Sequence, residues 1–282
     1  MTTAPLRRRS ALYMPASNPR AIAKARSLPC DVVILDLEDA VAPGEKAAAR
    51  ATMAAECRAG GFGDRALVVR INGLDTPWGA ADAEAVAGLA LDAVLVPKIA
   101  SDRDLVAARA AVGPEGPALW AMIETCAGIL ALPGIVAAAS SAMLTALVAG
   151  TNDLAKEMRC RPGTDRMPLI HALAATVTAA RAAGLLALDG VCNALDDPDR
   201  LAREALQGAT LGFDGKTLIH PSQIAAANSA FGPAPEQVAW AHRVVDAFAD
   251  DANAALGAIR LDGAMVERLH LEEARAILAL AG

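Results

Sequence analysis

Eight short apolar runs recur along the chain at roughly thirty-residue intervals, and this repeat is what most restricts the fold. They are SALYM from Ser10, VVILDL from Val32, ALVVRI from Ala66, AVLVP from Ala93, LWAMIE around Leu119, TALVAG from Thr145, LALDGV from Leu186 and ATLGFDG from Ala209. Most are continuous instead of alternating, as parallel strands covered on both faces require. Segments with helical spacing lie between them, among them Ala47 to Arg58, Asp102 to Val112 and Leu169 to Ala183. Eight strand-helix units predict an α/β fold of the (β/α)8 TIM-barrel type, since open doubly wound sheets usually have fewer strands. Neither G-x-G-x-x-G after the first run nor G-x-x-x-x-G-K-[ST] anywhere supports a nucleotide fold. The expected division is a barrel domain over 1–225 and a C-terminal helical lid or arm over 226–282. Helices are read there at Glu236 to Ala249 and Met265 to Ala281, joined by DDANAALGA.

Charge and cysteine usage narrow the function. A balance of 26 basic against 32 acidic residues argues against a nucleic-acid binder, and an anionic small ligand would need a local basic pocket. The five cysteines are odd in number, scattered and without a C-x-x-C pair, which fits a reduced cytoplasmic compartment. Thr125 to Asn152 lacks charge and is long enough to span a bilayer, but Pro133, three hydroxyl residues and flanking Glu124 and Asp153 argue against a span. The apolar stretch after Arg7, Arg8 and Arg9 is too short for a signal peptide.

In such a barrel, chemistry gathers where strands end and loops begin. Those positions carry Asp36, Glu38 and Asp39, then Arg70 and Asn72, Lys98, Glu124, Asn152 and Asp153, Asp189, and finally Asp214 and Lys216. Glu124 and Asp153 fall one unit apart, so they would leave adjacent strands. Two carboxylates with room for waters and substrate oxygens suit Mg2+. The other reading pairs Glu124 with Arg70 or Lys98 and makes Asp153 a helix cap. Cysteine and histidine spacings do not suit zinc. Arg70 would project into the mouth, where it grips a carboxylate or oxyanion, or forms a core pair with Asp36.

The motifs RSALYMPASNPR, DVVILDLEDAVAPGEKAAAR, VRINGLDTPWG, VLVPK, MIETCAGIL, GTNDL, LDGV and GFDGKTLIHPSQI occur in this order. Together they resemble the citrate lyase β-subunit-like (CitE-like) family of the HpcH/HpaI aldolase and citrate lyase superfamily, from Arg9 to about Ala249. The resemblance implies a Mg2+-dependent carbon-carbon lyase that cleaves or forms a 3-hydroxyacyl-CoA, such as citramalyl-, malyl- or citryl-CoA, with acetyl-CoA and a 2-oxo acid as partners. It implies metal ligands at Glu124 and Asp153 and catalytic roles for Arg70 and Asp36. Glu38 and Asp39 would support them from behind, and Arg20, Lys24 and Lys46 would join Arg70 in binding CoA. RLDGAMVERL resembles a segment that supplies a proton-donating aspartate to a neighbouring subunit, implying Asp262 as catalytic and a homotrimer or hexamer. An Asp-Gly turn is the ordinary reading of that pair. His220 in IHPSQI is read as structural, and Lys98 and Lys216 as ion-pair members. Alternatives are a citrate lyase subunit acting on citryl-carrier protein, a malyl-CoA thioesterase, a 2-oxo-acid aldolase, and an idle barrel scaffold. The stretch TCAGIL after Glu124 departs from many relatives, which leaves the acyl group open.

Overall fold

The computed structural model describes residues 7–250, 253 and 256–281, so DDANAALGA lies partly outside the described residues. Two compact units emerge, one of residues 8–228 and one that takes in the chain from Ser229 onward.

The first unit is a closed parallel barrel of eight strands in sequence order. They are β1 Ser10–Pro15, β2 Val32–Asp36, β3 Ala66–Arg70, β4 Ala93–Val96, β5 Ala118–Ile123, β6 Leu144–Ala149, β7 Leu186–Asp189 and β8 Gly215–Leu218. The larger helices between them are α1 Pro19–Ala25, α2 Lys46–Ala59, α3 Gly79–Ala87, α4 Asp102–Val112, α5 Cys126–Ala137, α6 Ala139–Ala142, α7 Thr151–Glu157, α8 Ile170–Ala182 and α9 Pro198–Leu211, with α10 Ile224–Ala230 after β8. Among the described residues no helix is long and apolar enough to cross a membrane. The uncharged stretch from Thr125 divides into α5, α6 and β6. All five cysteines are free of disulfides.

Side chains of alternating residues point inward, because a strand turns successive side chains to opposite faces. Ala11, Val32, Ile34, Val68, Leu95, Trp120, Met122, Val148 and Leu188 fill the interior, with Tyr13 packed on them. Continuing that parity to the carboxyl ends places Asp36 and Arg70 in one register pair and Glu124 two residues beyond Met122.

Three expectations are corrected. The eighth strand does not begin at Ala209: Ala209 to Leu211 form the last turn of α9, closed by Gly212 at φ +97°, and β8 starts at Gly215. Gly215 is required there, since a Cβ would strike the carbonyl of Arg8. Asp214 therefore precedes its strand, at the opposite end from the mouth, where it pairs with Arg181 at 2.8 Å and accepts from the Ala187 amide. Asp189 and Lys216 have the outward parity and meet Arg166 and Glu204 in the layer under the helices.

The second unit holds α11 Pro235–Ala249, the hairpin β9 Ala258–Leu261 with β10 Ala264–Glu267, and α12 Arg268–Ala281. Its core is Ala241, Val244, Phe248, Ile259, Val266, Leu271 and Ala274. Met265, expected to begin a helix, lies in β10. Asp262 and Gly263, both at positive φ (52° and 85°), form the two-residue turn that such hairpins favour.

Candidate active site

A cleft of about 310 Å3 opens at the carboxyl ends of the barrel strands. Tyr13, Asp36, Asp39, Arg70, Met122, Glu124, Asn152, Asp153 and Asn193 are among its walls. The residues expected at the site divide sharply in what they do there, and their hydrogen bonds decide it.

Arg70 is the best-held side chain in the cleft. Its Nε and Nη2 each donate to Asp36 at 2.7 Å, a two-pronged pair, while the guanidinium stacks over the Tyr13 ring at 4.7 Å. Burial works against its charge, but Asp36 outweighs this and holds Arg70 firmly protonated. The Asp36 oxygens also accept from the amides of Glu38 and Ala40, at 2.9 and 3.1 Å. Asp36 is 1% exposed and fully engaged, so its chemistry is to aim Arg70 and fix the loop after β2. This leaves Arg70 Nη1 turned to the remaining acids. It stands 2.9 Å from Glu38 Oε2, off the hydrogen-bonding direction, and 3.4 Å from Asp39, whose side chain is largely exposed. The buried Glu38 Oε2 has no hydrogen-bond partner among the described residues, and burial raises the pKa of Glu38.

Glu124 follows β5 and is 4% exposed. Its Oε1 accepts from the Lys98 amide at 2.8 Å. Burial, reinforced by the charge of Glu38 and only partly offset by Lys98, pushes its pKa to about 7. A carboxylate this unhappy as an anion is one that a nearby cation would stabilise. Gly150 forms the wall beside it: any Cβ there would collide with the Glu124 side chain. Asp153, in the first turn of α7, is half-exposed and reaches Lys98 Nζ at 3.4 Å. Lys98 also donates to Glu38 Oε1 at 2.8 Å, and it sits at φ +54°, a strained conformation for a side-chain-bearing residue that costs about 1 kcal/mol.

The oxygen-only donors Glu124 and Asp153 suit a hard divalent cation that keeps open positions for water and substrate. Among the described residues no group of three or more His, Cys, Asp and Glu is placed to hold a metal ion. Of the alternatives read for these two acids, Glu124 does meet Lys98, through the backbone amide. Asp153 is corrected as a cap: Gly150 precedes α7 with no side-chain cap, and Asp153 lies in the first turn with its carboxylate toward Lys98.

The other expected residues are placed elsewhere. Lys46 is corrected: it is buried, and its ammonium donates to the carbonyls of Leu37 and Glu38 and to Asn72 Oδ1 at 2.6–2.7 Å. No proton remains for a phosphate, and the side chain braces the loop after β2 instead. Arg20 and Lys24 lie exposed, four residues apart on α1, with no side-chain partner among the described residues. Asp262 lies in the hairpin turn of the second unit, exposed and paired with Arg243 at 3.0 Å. His220 caps the turn at Pro221–Gln223, its Nδ1 accepting from the Ser222 amide. Lys216 is fully buried in the outward cluster. Sequence reasoning did not find Tyr13, whose inward parity with Ala11 was readable, nor Asn193, which pairs at the rim with Asn152 in the first turn of α7, 41 residues away, and leaves no local signal.

A family model described as HpcH/HpaI aldolase/citrate lyase matches residues 9–221. The chain is 46% identical over 273 residues to a (3S)-malyl-CoA thioesterase of Cereibacter sphaeroides (strain KD131), covering 97% of this chain and 94% of the relative. It is 32% identical over 283 residues to the citrate lyase subunit beta of Escherichia coli (strain K12), covering 97% and 93%. Among solved structures it is similar to the CitE protein of Mycobacterium tuberculosis in complex with magnesium, acetoacetate and coenzyme A, with a TM-score of 0.76, 33% identity and 97% of each chain covered.

Proposed function

The chain belongs to the HpcH/HpaI aldolase/citrate lyase family, and from that premise we propose that it is a magnesium-dependent enzyme acting on a malyl-type 3-hydroxyacyl-CoA, with hydrolysis of the thioester as its reaction. The observation that carries the substrate class is the cleft itself: a guanidinium fixed by Asp36 faces a buried, cation-seeking carboxylate, so a ligand with its own carboxylate and oxygens meets a complement on each side. The 46% identity to a malyl-CoA thioesterase favours hydrolysis. Carbon-carbon cleavage to acetyl-CoA and a 2-oxo acid is the second reading, favoured by the similarity to a citrate lyase β subunit over nearly the whole chain.

In either reaction Glu124 and Asp153 would hold Mg2+, which supplies Lewis-acid polarisation of substrate oxygens when bound. Arg70 Nη1, the one end of the fork not committed to Asp36, would orient a substrate carboxylate and stabilise negative charge on an oxygen as it develops. Asp36 acts through Arg70, as a positioning residue. Glu38 and Asp39 set the negative field around that Nη1, and Glu38 joins it to Lys98. Arg20 and Lys24 would meet the CoA phosphates as exposed cations of an otherwise acidic protein. Thr217, one of the hydroxyls lining the cleft, donates its proton to the Asp189 carbonyl and so is not placed as a nucleophile. For the cleavage reading, Asp262 would protonate the enolate carbon, supplied by a neighbouring subunit of a trimer or hexamer.

Incubation with Mg2+ and malyl-, citramalyl- or citryl-CoA separates the readings. Free CoA and an intact hydroxy acid mark hydrolysis; acetyl-CoA and a 2-oxo acid mark cleavage. No product from any of the three would remove the proposal and leave the scaffold alternative.

A further inference from the structure

Lys98 touches all three acids on its side of the cleft. Its amide donates to Glu124, and its ammonium lies 2.8 Å from Glu38 Oε1 and 3.4 Å from Asp153 Oδ2. Among the described residues Asp153 has no other Lys or Arg in an ion pair, Glu124 has no side-chain ion pair at all, and Glu38 shares only Arg70 with Lys98. The two halves of the residue do different work. The backbone, held in the left-handed region just after β4, fixes one carboxylate through its N–H and cannot leave it without reshaping the loop. The side chain is 44% exposed and has two partners at unequal distance, so it can give up the farther one and keep the nearer.

We propose that the Lys98 ammonium is the built-in counter-ion of the carboxylate pair, and that a divalent cation must displace it from Asp153 onto Glu38, so that Lys98 sets the affinity of the site for the ion. The inference rests on the reading that Glu124 and Asp153 hold the metal. Its physical basis is competition: an ammonium and a dication seek the same Asp153 oxygen, and their like charges oppose each other at short range. Glu38 is the receiving group. It is already hydrogen-bonded to Lys98 through Oε1, which lets the ammonium retain one carboxylate partner after Asp153 is released. In the absence of the ion, the same ammonium relieves the repulsion between acids that would otherwise face one another unpaired. Lys98 is a positioning residue in this account, and it touches no reacting atom.

The test uses Mn2+ as probe and calorimetric titration of the full-length chain. Lys98→Gln keeps the backbone N–H to Glu124 and removes only the charge. It is expected to bind Mn2+ roughly three- to tenfold more tightly than wild type, a modest factor because the site is open to solvent. Lys98→Arg retains the charge and is expected to return the affinity toward wild type. A merely structural Lys98 would lower thermal stability in Lys98→Gln without tightening the ion. In the wild-type protein, the Lys98 15Nζ resonance is expected to shift as Mg2+ is titrated, following the change of partner. Equal or weaker Mn2+ binding by Lys98→Gln, or an unmoved Nζ resonance at saturating Mg2+, overturns the inference. Its failure is distinguishable from failure of the metal reading. If wild type binds Mn2+ and Glu124→Gln does not, the metal site stands while an unchanged Lys98→Gln removes the counter-ion role; if wild type binds no Mn2+, both fall.

Discussion

The cluster around Asp189 and the cluster around Arg70 use the same residue types within one barrel, yet they finish differently. In the first, Arg166 Nη1 donates to both Asp189 oxygens, its Nε to Gln207 and its Nη2 to the Glu204 carbonyl. Lys216 completes the set with Asp189 Oδ2 and the Gly190 carbonyl, and the charged members Arg166, Asp189, Lys216 and Glu204 are all buried. Burial alone would raise the pKa of Asp189, but Lys216 and Arg166 overcome it and hold the carboxyl below its usual range. In the second cluster, Glu124 is pushed up to about 7, Glu38 has a buried oxygen without a hydrogen bond, and Arg70 Nη1 is hydrogen-bonded only by a 3.4 Å bond to the largely exposed Asp39 and a contact to the Met122 sulfur. The outward-facing cluster is saturated and the inward-facing one is short of positive charge. Number of charges does not separate structure from function here; completeness of their pairing does.

Removing a member should therefore have opposite consequences in the two places. Asp189→Ala leaves Arg166 and Lys216 buried without their carboxylate, and should cost about 3–5 kcal/mol in urea denaturation. Glu124→Gln should leave the neutral-pH stability of the metal-free protein unchanged or raised, while turnover of a malyl-type CoA thioester falls by about a hundredfold or more. A large loss of stability in Glu124→Gln would erase the distinction between the clusters.

The pH dependence sharpens it. The folded-state pKa of Glu124, about 7, lies above its ordinary value of 4.5. The stability associated with this group is thus fully present below about 4.5 and is lost as pH rises through about 7, amounting to roughly 3 kcal/mol for a shift of this size. Without divalent ions, this decline should be seen in wild-type denaturation midpoints and be missing in Glu124→Gln. A smaller effect is expected at the guanidinium. Arg70→Lys keeps the charge but loses the two-pronged grip on Asp36, and should cost about 1–2 kcal/mol in stability. Its turnover should fall much more than that loss of stability explains. Arg70→Ala should be less stable still, since it strands a buried Asp36. Smallest of all, Arg20→Gln and Lys24→Gln should each raise the KM for a CoA thioester by only about two- to fivefold, with the difference shrinking at high salt.

Much of this was legible in the sequence, for physical reasons that can be named. Eight apolar runs with helical spacers specify the barrel because parallel strands need covering on both faces, and the ends of those runs mark the mouth. Parity along each run also carries which end-residues face the cleft: Asp36 follows Val32 and Ile34 inward, whereas Asp189 is one step out of phase with Leu188. The eighth run failed as a strand because ATL is equally apolar as the last turn of an amphipathic helix, and tertiary packing of α9 decided it. Asp262-Gly263 between alternating residues was a hairpin signal, outweighed in the reading by the helical pattern that follows. Lys46 reads as a CoA-binding cation in the sequence because nothing local announces that Leu37, Glu38 and Asn72 will collect around its ammonium. Long-range polar satisfaction of this kind is a property of the fold and has no sequence period.

The most direct test of the open cluster is to titrate Mn2+ into wild type, Glu124→Gln and Asp153→Asn and follow free Mn2+ by its paramagnetic resonance signal. One ion per chain in wild type, with binding weakened by about thirtyfold or more in both variants, is the expected result. Equal affinity in all three proteins would contradict the account.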